Sequence, residues 1–118
     1  MKMYTSRDQT AKLIELGFEK PKSISGYYQR DPYEYDAKTN TKMCVYDDTQ
    51  YPIYAYSIGE LLSFLPLTIQ WTPRVIRGNV IEYSFVTEGS ELYYCNAHNE
   101  LIDNLYDMIL RLKEEGVI

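Results

Sequence analysis

The sequence predicts an α+β fold: an antiparallel sheet of about 3–4 strands with helices packed on it in two layers. Three observations predict it. Residues 7–16, 58–65 and 100–115 carry helical apolar spacing bounded by start and stop signals. Residues 80–86 alternate apolar and polar side chains, the period of a half-buried strand. Gly78-Asn79 and Glu88-Gly89 flank that run as turns, so the sheet is built from hairpins.

The first helix has both ends specified. Ser6 with Gln9 reads as a capping box, and Thr5 with Asp8 is a competing register. Ala11, Leu13 and Ile14 follow at near-helical spacing. Gly17 stands where a left-handed C-terminal residue is needed, with Phe18 placed to fold back on Leu13.

Residues 19–42 have no clean period. Lys20-Pro21-Lys22-Ser23 ends the helix, and the stretch from Gly26 to Lys42 mixes tyrosines, charges and Pro32. It reads as a long loop or a flexible hairpin, and loops of that length are functional or mobile. Met43-Cys44-Val45-Tyr46 is a short strand, closed by Asp47-Asp48-Thr49, and Tyr54-Ala55-Tyr56 is a second extended piece.

Ser57 and Glu60 form another capping box, with Tyr56 and Leu61 as a hydrophobic staple. Leu61, Leu62, Phe64 and Leu65 make this second helix apolar on most of its surface until Pro66 stops it. Residues 67–71 and 74–77 read as one strand broken at Pro73. A type II′ turn at Gly78-Asn79 pairs Ile76 with Ile81 and Val75 with Glu82. The turn at Glu88-Gly89 pairs Phe85 with Leu92 and Tyr83 with Tyr94, apolar against apolar. Asn99 is the expected N-cap of the last helix. There Leu101, Ile102, Leu105, Met108, Ile109 and Leu112 form one stripe, and Gly116 ends it with Val117 folding back on Leu112.

With 118 residues, no internal repeat and no linker, residues 1–118 are expected to form a single domain. Hydrophobic residues at 45% and charged residues at 25% are globular proportions, which argues against disorder. The net charge of −5 is uneven: residues 1–42 carry +2 and residues 43–118 carry −7. An acidic surface repels phosphate, so direct nucleic-acid binding is not expected. No apolar run is long enough to span a membrane, and the first residues lack the apolar core of a signal peptide. The expected location is cytoplasmic, with Cys44 and Cys95 reduced.

The N-terminal residues Tyr4-Thr5-Ser6 and Ala11-Lys12-Leu13-Ile14-Glu15-Leu16-Gly17 carry a resemblance, as do Met43-Cys44-Val45-Tyr46, the block from Tyr56 to Pro66 and the ending Glu115-Gly116-Val117-Ile118. Together they resemble a set of small uncharacterised bacterial proteins, many of them prophage-associated. Residues 19–42 look longer here than in that set. The matched pieces are caps, turns and core positions. The resemblance implies an accessory protein of phage or mobile-element origin and brings no catalytic residue with it.

No reactive constellation emerges. Cys95-x-x-His98 with Cys44 and Asp47 or Asp48 could be imagined as a zinc site, but structural zinc asks for paired Cys-x₂₋₄-Cys spacing, which the chain lacks. Cys95 and His98 as a nucleophile pair have no third group to orient them. Gly59, Gly78 and Gly89 are isolated and form no phosphate loop. No catalytic residue, metal ligand or cofactor is assigned.

The anomaly is tyrosine. There are thirteen, eight of them between residues 27 and 56. Tyrosine is enriched in binding surfaces, where its ring and hydroxyl serve together. The expected surface comprises Tyr27, Tyr28, Tyr33, Tyr35, Tyr51 and Tyr54, and plain packing of this segment on the domain is the competing reading. The favoured function is a non-catalytic module that binds another protein or itself. An acidic nucleic-acid mimic that occupies a host DNA-binding protein is the first alternative, and a small enzyme with a dispersed site is the second.

Overall fold

The computed structural model describes residues 1–29, 33–36, 38–39, 41–44, 50–87, 90–96 and 100–118. The fold is α+β. In chain order the elements are α1 (Arg7–Glu15), β1 (Ile24–Gln29), β2 (Tyr33–Asp36), β3 (Thr41–Cys44), β4 (Gln50–Tyr54) and α2 (Ile58–Phe64). Then follow β5 (Thr68–Ile69), β6 (Thr72–Pro73), β7 (Val75–Arg77), β8 (Val80–Thr87), β9 (Ser90–Asn96) and α3 (Leu101–Glu114). The chain divides into two compact units, one formed by Met1–Ser23 with Ala55–Ile118 and the other by Ile24–Tyr54.

The first unit holds the core. Strands β7, β8 and β9 form a three-stranded antiparallel sheet, and α3 lies against β8 and β9 while touching α2. Ile81 and Tyr83 point inward from β8 and are fully buried, while Ser84 is exposed. They meet the stripe of α3, in which Ile102, Leu105, Met108, Ile109 and Leu112 are all inaccessible. Leu13 of α1, Leu61 of α2, Tyr56, Leu65 and Ile69 join the same cluster. Each such side chain is worth about 1.5–3 kcal/mol of burial, so this one cluster supplies the first unit's main stabilisation.

Both hairpin registers of this sheet are those the turns dictate. Val75 pairs with Glu82 and Ile76 with Ile81; Tyr83 pairs with Tyr94 and Phe85 with Leu92. Gly78 has φ +60° and Asn79 does not share the left-handed region, as a type II′ turn requires. Residues 88–89, the second turn, lie outside the described residues.

Helix ends follow their sequence signals. Ser6 accepts from the Gln9 amide at 3.2 Å and the Gln9 side chain accepts from the Ser6 amide at 2.9 Å, so the Ser6 register prevails over Thr5. Thr5 is instead buried, its amide donating to the Tyr56 carbonyl at 3.0 Å and its hydroxyl meeting that of Thr10. Gly17 (φ +95°) and Gly116 (φ +75°) end α1 and α3 in the same way. The Phe18 amide reaches the Leu13 carbonyl at 3.2 Å and the Val117 amide reaches that of Leu112 at 2.8 Å, the 6→1 bonds of two Schellman endings.

Three expectations are corrected. The N-cap of α3 is Glu100, which makes no side-chain capping bond, and Asn99 lies outside the described residues. Residues 67–73 are not half of a broken strand. They form a separate hairpin, β5 with β6, turned by Gln70 (φ +48°) and Trp71 (φ +70°). For residues 19–42 the long-loop reading gives way to the hairpin one, since β1, β2 and the start of β3 fall within them and β2 pairs antiparallel with β3.

Candidate interaction surface

The second unit contains two antiparallel ribbons, β1 with β4 and β2 with β3. All six tyrosines expected at a surface lie in this unit. Tyr27 and Tyr28 are on β1, and Tyr51 and Tyr54 on β4. Tyr33 and Tyr35 occupy β2, paired in register with Cys44 and Lys42.

The β1–β4 ribbon carries four of the six. Tyr28 pairs with Tyr51, their rings stacked with centroids 5.5 Å apart, and Tyr27 pairs with Pro52. The register slips by one residue between Ile24 and Gly26, a bulge at Ser25. Alternation sends Tyr27 and Tyr54 to one face and Tyr28 and Ile53 to the other. None of these four is buried: Tyr27 is 59%, Tyr28 54%, Tyr54 52% and Ile53 43% exposed. The ribbon thus shows aromatic surface on both faces. None of its residues, Ile24 to Gln29 and Gln50 to Tyr54, is charged.

This surface differs in kind from Tyr56 and Tyr83 of the first unit. Tyr56 is fully buried, donates to the Glu19 carbonyl at 2.6 Å and meets Phe64 edge-on at 5.5 Å. Tyr83 is fully buried and donates to the Pro66 carbonyl, and burial pushes its hydroxyl up to about 12 although Arg74 pulls the other way. Those two are core residues with one polar anchor each.

Two further features lie in the first unit. Glu19, Lys20, Lys22, Glu60, Ser63 and Phe64 line an open depression of about 170 Å³, below the roughly 300–1,000 Å³ of ordinary ligand pockets. Its central carboxylate is structurally engaged. Glu60 accepts from the Ser57 amide at 3.1 Å and from the Lys22 amide at 2.9 Å. Burial alone would raise Glu60, but hydrogen bonds from Ser23, Lys22 and Ser57 hold it below its ordinary value. The other feature is Trp71, 97% exposed at the tip of the β5–β6 turn, with Leu67 exposed at the same hairpin.

Sequence reasoning missed Trp71, Ile24 and Ile53 as surface residues. Apolar residues in a short strand normally read as core, and only their exposure in the fold shows otherwise. Among the described residues no group of three His, Cys, Asp or Glu side chains could hold a metal ion, and His98 is not among them. No described helix is long and apolar enough to cross a membrane. No protein-family model, no curated protein and no solved structure matches the chain.

Proposed function

We propose that this chain is a non-catalytic interaction module that engages another protein, or a second copy of itself, through the β1–β4 ribbon. The observation that carries the reading is the uncharged ribbon with Tyr27, Tyr28, Tyr54 and Ile53 open to solvent on both faces. Water-exposed tyrosine at this density is the composition of an interface core, and tyrosine supplies much contact area for few rotatable bonds. The setting suggested by the resemblance is that of a phage or mobile-element accessory in a bacterial host.

The test compares the wild-type chain with Tyr27→Ser/Tyr54→Ser and with Tyr28→Ser, each used to capture partners from nuclease-treated host lysate. Loss of the same partner from one or both variants, with the far-UV spectrum unchanged, supports the reading. Capture that survives both sets of substitutions removes the ribbon as the binding surface. The acidic-mimic reading rests on the −7 carried by residues 43–118. Its signature in the same experiment is a basic partner whose capture falls steeply with added salt.

A further inference from the structure

We infer that β1 presents an open strand edge that pairs antiparallel with β1 of a second copy of this chain, joining two ribbons into one four-stranded sheet. The inference deepens the proposed function by naming the partner, and it rests on that reading.

The argument begins at Pro52. A proline has no amide hydrogen, so within a ladder it must sit where its nitrogen faces away from the neighbouring strand. Pro52 lies opposite Tyr27. The Tyr27–Pro52 pair is therefore a non-hydrogen-bonded pair, and the flanking Gly26–Ile53 and Tyr28–Tyr51 pairs carry the ladder bonds. The Ala55 amide donating to the Ser23 carbonyl at 3.1 Å agrees, since it makes Ile24–Tyr54 a non-hydrogen-bonded pair as well. The bulge at Ser25 accounts for the change of phase between them.

This phase fixes what each outer edge offers. The outer edge of β1 presents the N–H and C=O of Tyr27 and of Gln29. The outer edge of β4 presents at its centre only the carbonyl of Pro52. The sheet contains just these two strands among the described residues. Proteins blunt exposed edges with proline, lysine or inward-facing charge. Here β4 has the proline, while β1, Ile-Ser-Gly-Tyr-Tyr-Gln, has none of the three, and its bulge, a fourth such device, lies at Ser25 and leaves Gly26 to Gln29 in regular register.

An unprotected edge accepts a strand, and two features select a second copy as the occupant. The first is self-complementarity. Antiparallel pairing about a two-fold axis at Tyr27 sets Tyr27 against its symmetry mate and Ser25 against Gln29, with no like charges opposed. The second is what the pairing completes. Two strands are marginal in water, whereas four form a sheet. Tyr27 and its mate then sit directly opposite each other on the joined face, at the spacing where cross-strand aromatic pairs attract, with Pro52 beside each on the outer strands. Pro52 at both outer edges stops further growth, so the assembly closes at two copies.

The test uses the full chain and two readouts. Sedimentation across a concentration series is expected to show the mass doubling, with association strengthened by added salt, which screens the −5 on each copy. Amide exchange is expected to slow at Tyr27 and Gln29 as concentration rises, while Gly26 and Tyr28 are protected throughout by the β4 ladder. Tyr27→Pro removes the outward N–H and keeps the inward ladder. It is expected to abolish doubling while Gly26 and Tyr28 stay protected. A chain that stays monomeric to its solubility limit overturns the inference, as does a dimer in which the Tyr27 and Gln29 amides exchange freely. Capture of a different protein by the tyrosine faces is read separately, so it survives or fails independently of self-pairing.

Discussion

At the scale of single residues, buried polar groups and strained backbone carry the testable content. Tyr83 sits in the core with its hydroxyl donating to the Pro66 carbonyl. Its hydroxyl titrates near 12 in the folded chain, above the ordinary 10, chiefly because burial disfavours the phenolate. The protonated form is therefore favoured by folding. Its contribution is whole below pH 10 and is lost as pH rises through about 12. Tyr56 shifts in the same direction for the same leading cause. Chemical denaturation across pH 9–12 should show stability falling, and Tyr83→Phe should flatten part of that fall while costing about 1 kcal/mol at neutral pH. An unchanged alkaline slope in Tyr83→Phe would remove Tyr83 as its source. Gln70 and Trp71 pose the opposite case. Both tip residues of the β5–β6 turn have positive φ, and neither is the Asn or Gly that such a turn favours. A left-handed conformation costs an ordinary residue about 1–2 kcal/mol. Gln70→Asn/Trp71→Gly is expected to raise stability by about that much. Because Trp71 is the only tryptophan, its fluorescence should be quenched by acrylamide nearly as readily in the native as in the unfolded wild-type chain. A protected native tryptophan, or a destabilised double variant, would contradict the turn geometry. This turn was hidden in the sequence for the same reason that it is strained: its residues are the wrong ones for it.

At the scale of elements, what was legible in the sequence was local. Capping boxes, Schellman endings and two-residue turns are settled within about six residues, so α1, α2, α3 and the β7–β8–β9 registers could be read directly. The pairing of β1 with β4 could not. Its partners are separated by the β2–β3 ribbon, its alternation is masked because both faces carry aromatic side chains, and Gly26 and Pro52 interrupt each strand. Asn104 was equally opaque. It lies within the apolar stripe of α3, fully buried, and its side-chain amide donates to the Asn79 carbonyl, which fastens the helix to the β7–β8 turn. The second capping box has a consequence of its own. Glu60 closes α2 and also receives the Lys22 amide, so one carboxylate fixes a helix start and an incoming chain segment. Its folded pKa is depressed below 4.5 despite the opposing effect of burial, because its hydrogen bonds favour the charged form. The stability it contributes is present above pH 4.5 and is lost as pH falls through the folded value. Glu60→Gln should cost about 1 kcal/mol at pH 7 and less at pH 3. Equal cost at both pH values would mean that the charge is irrelevant to the cap.

At the scale of the whole molecule, the two units differ in what holds each together. Among the described residues, every member of the buried hydrophobic cluster belongs to the first unit. The second unit emerges from the first and returns to it at adjacent points, since the Ser23 carbonyl accepts from the Ala55 amide at 3.1 Å. Residues 24–54 are thus an insertion between two adjacent points of the first unit. The physics of loop closure then gives a sign. Replacing this 31-residue excursion by Asn-Gly shortens the loop about fifteenfold, and each doubling of loop length costs about 0.6 kcal/mol. The shortened chain should fold cooperatively and be more stable than the full chain by about 2 kcal/mol, measured by denaturant unfolding with the same helical signal. It should also lose self-association and partner capture together, since the β1–β4 ribbon is gone. A shortened chain that fails to fold would show that the first unit depends on the second. One that folds and still captures the same partner would move the interaction surface to the first unit, where Trp71 and Leu67 are among the exposed apolar side chains.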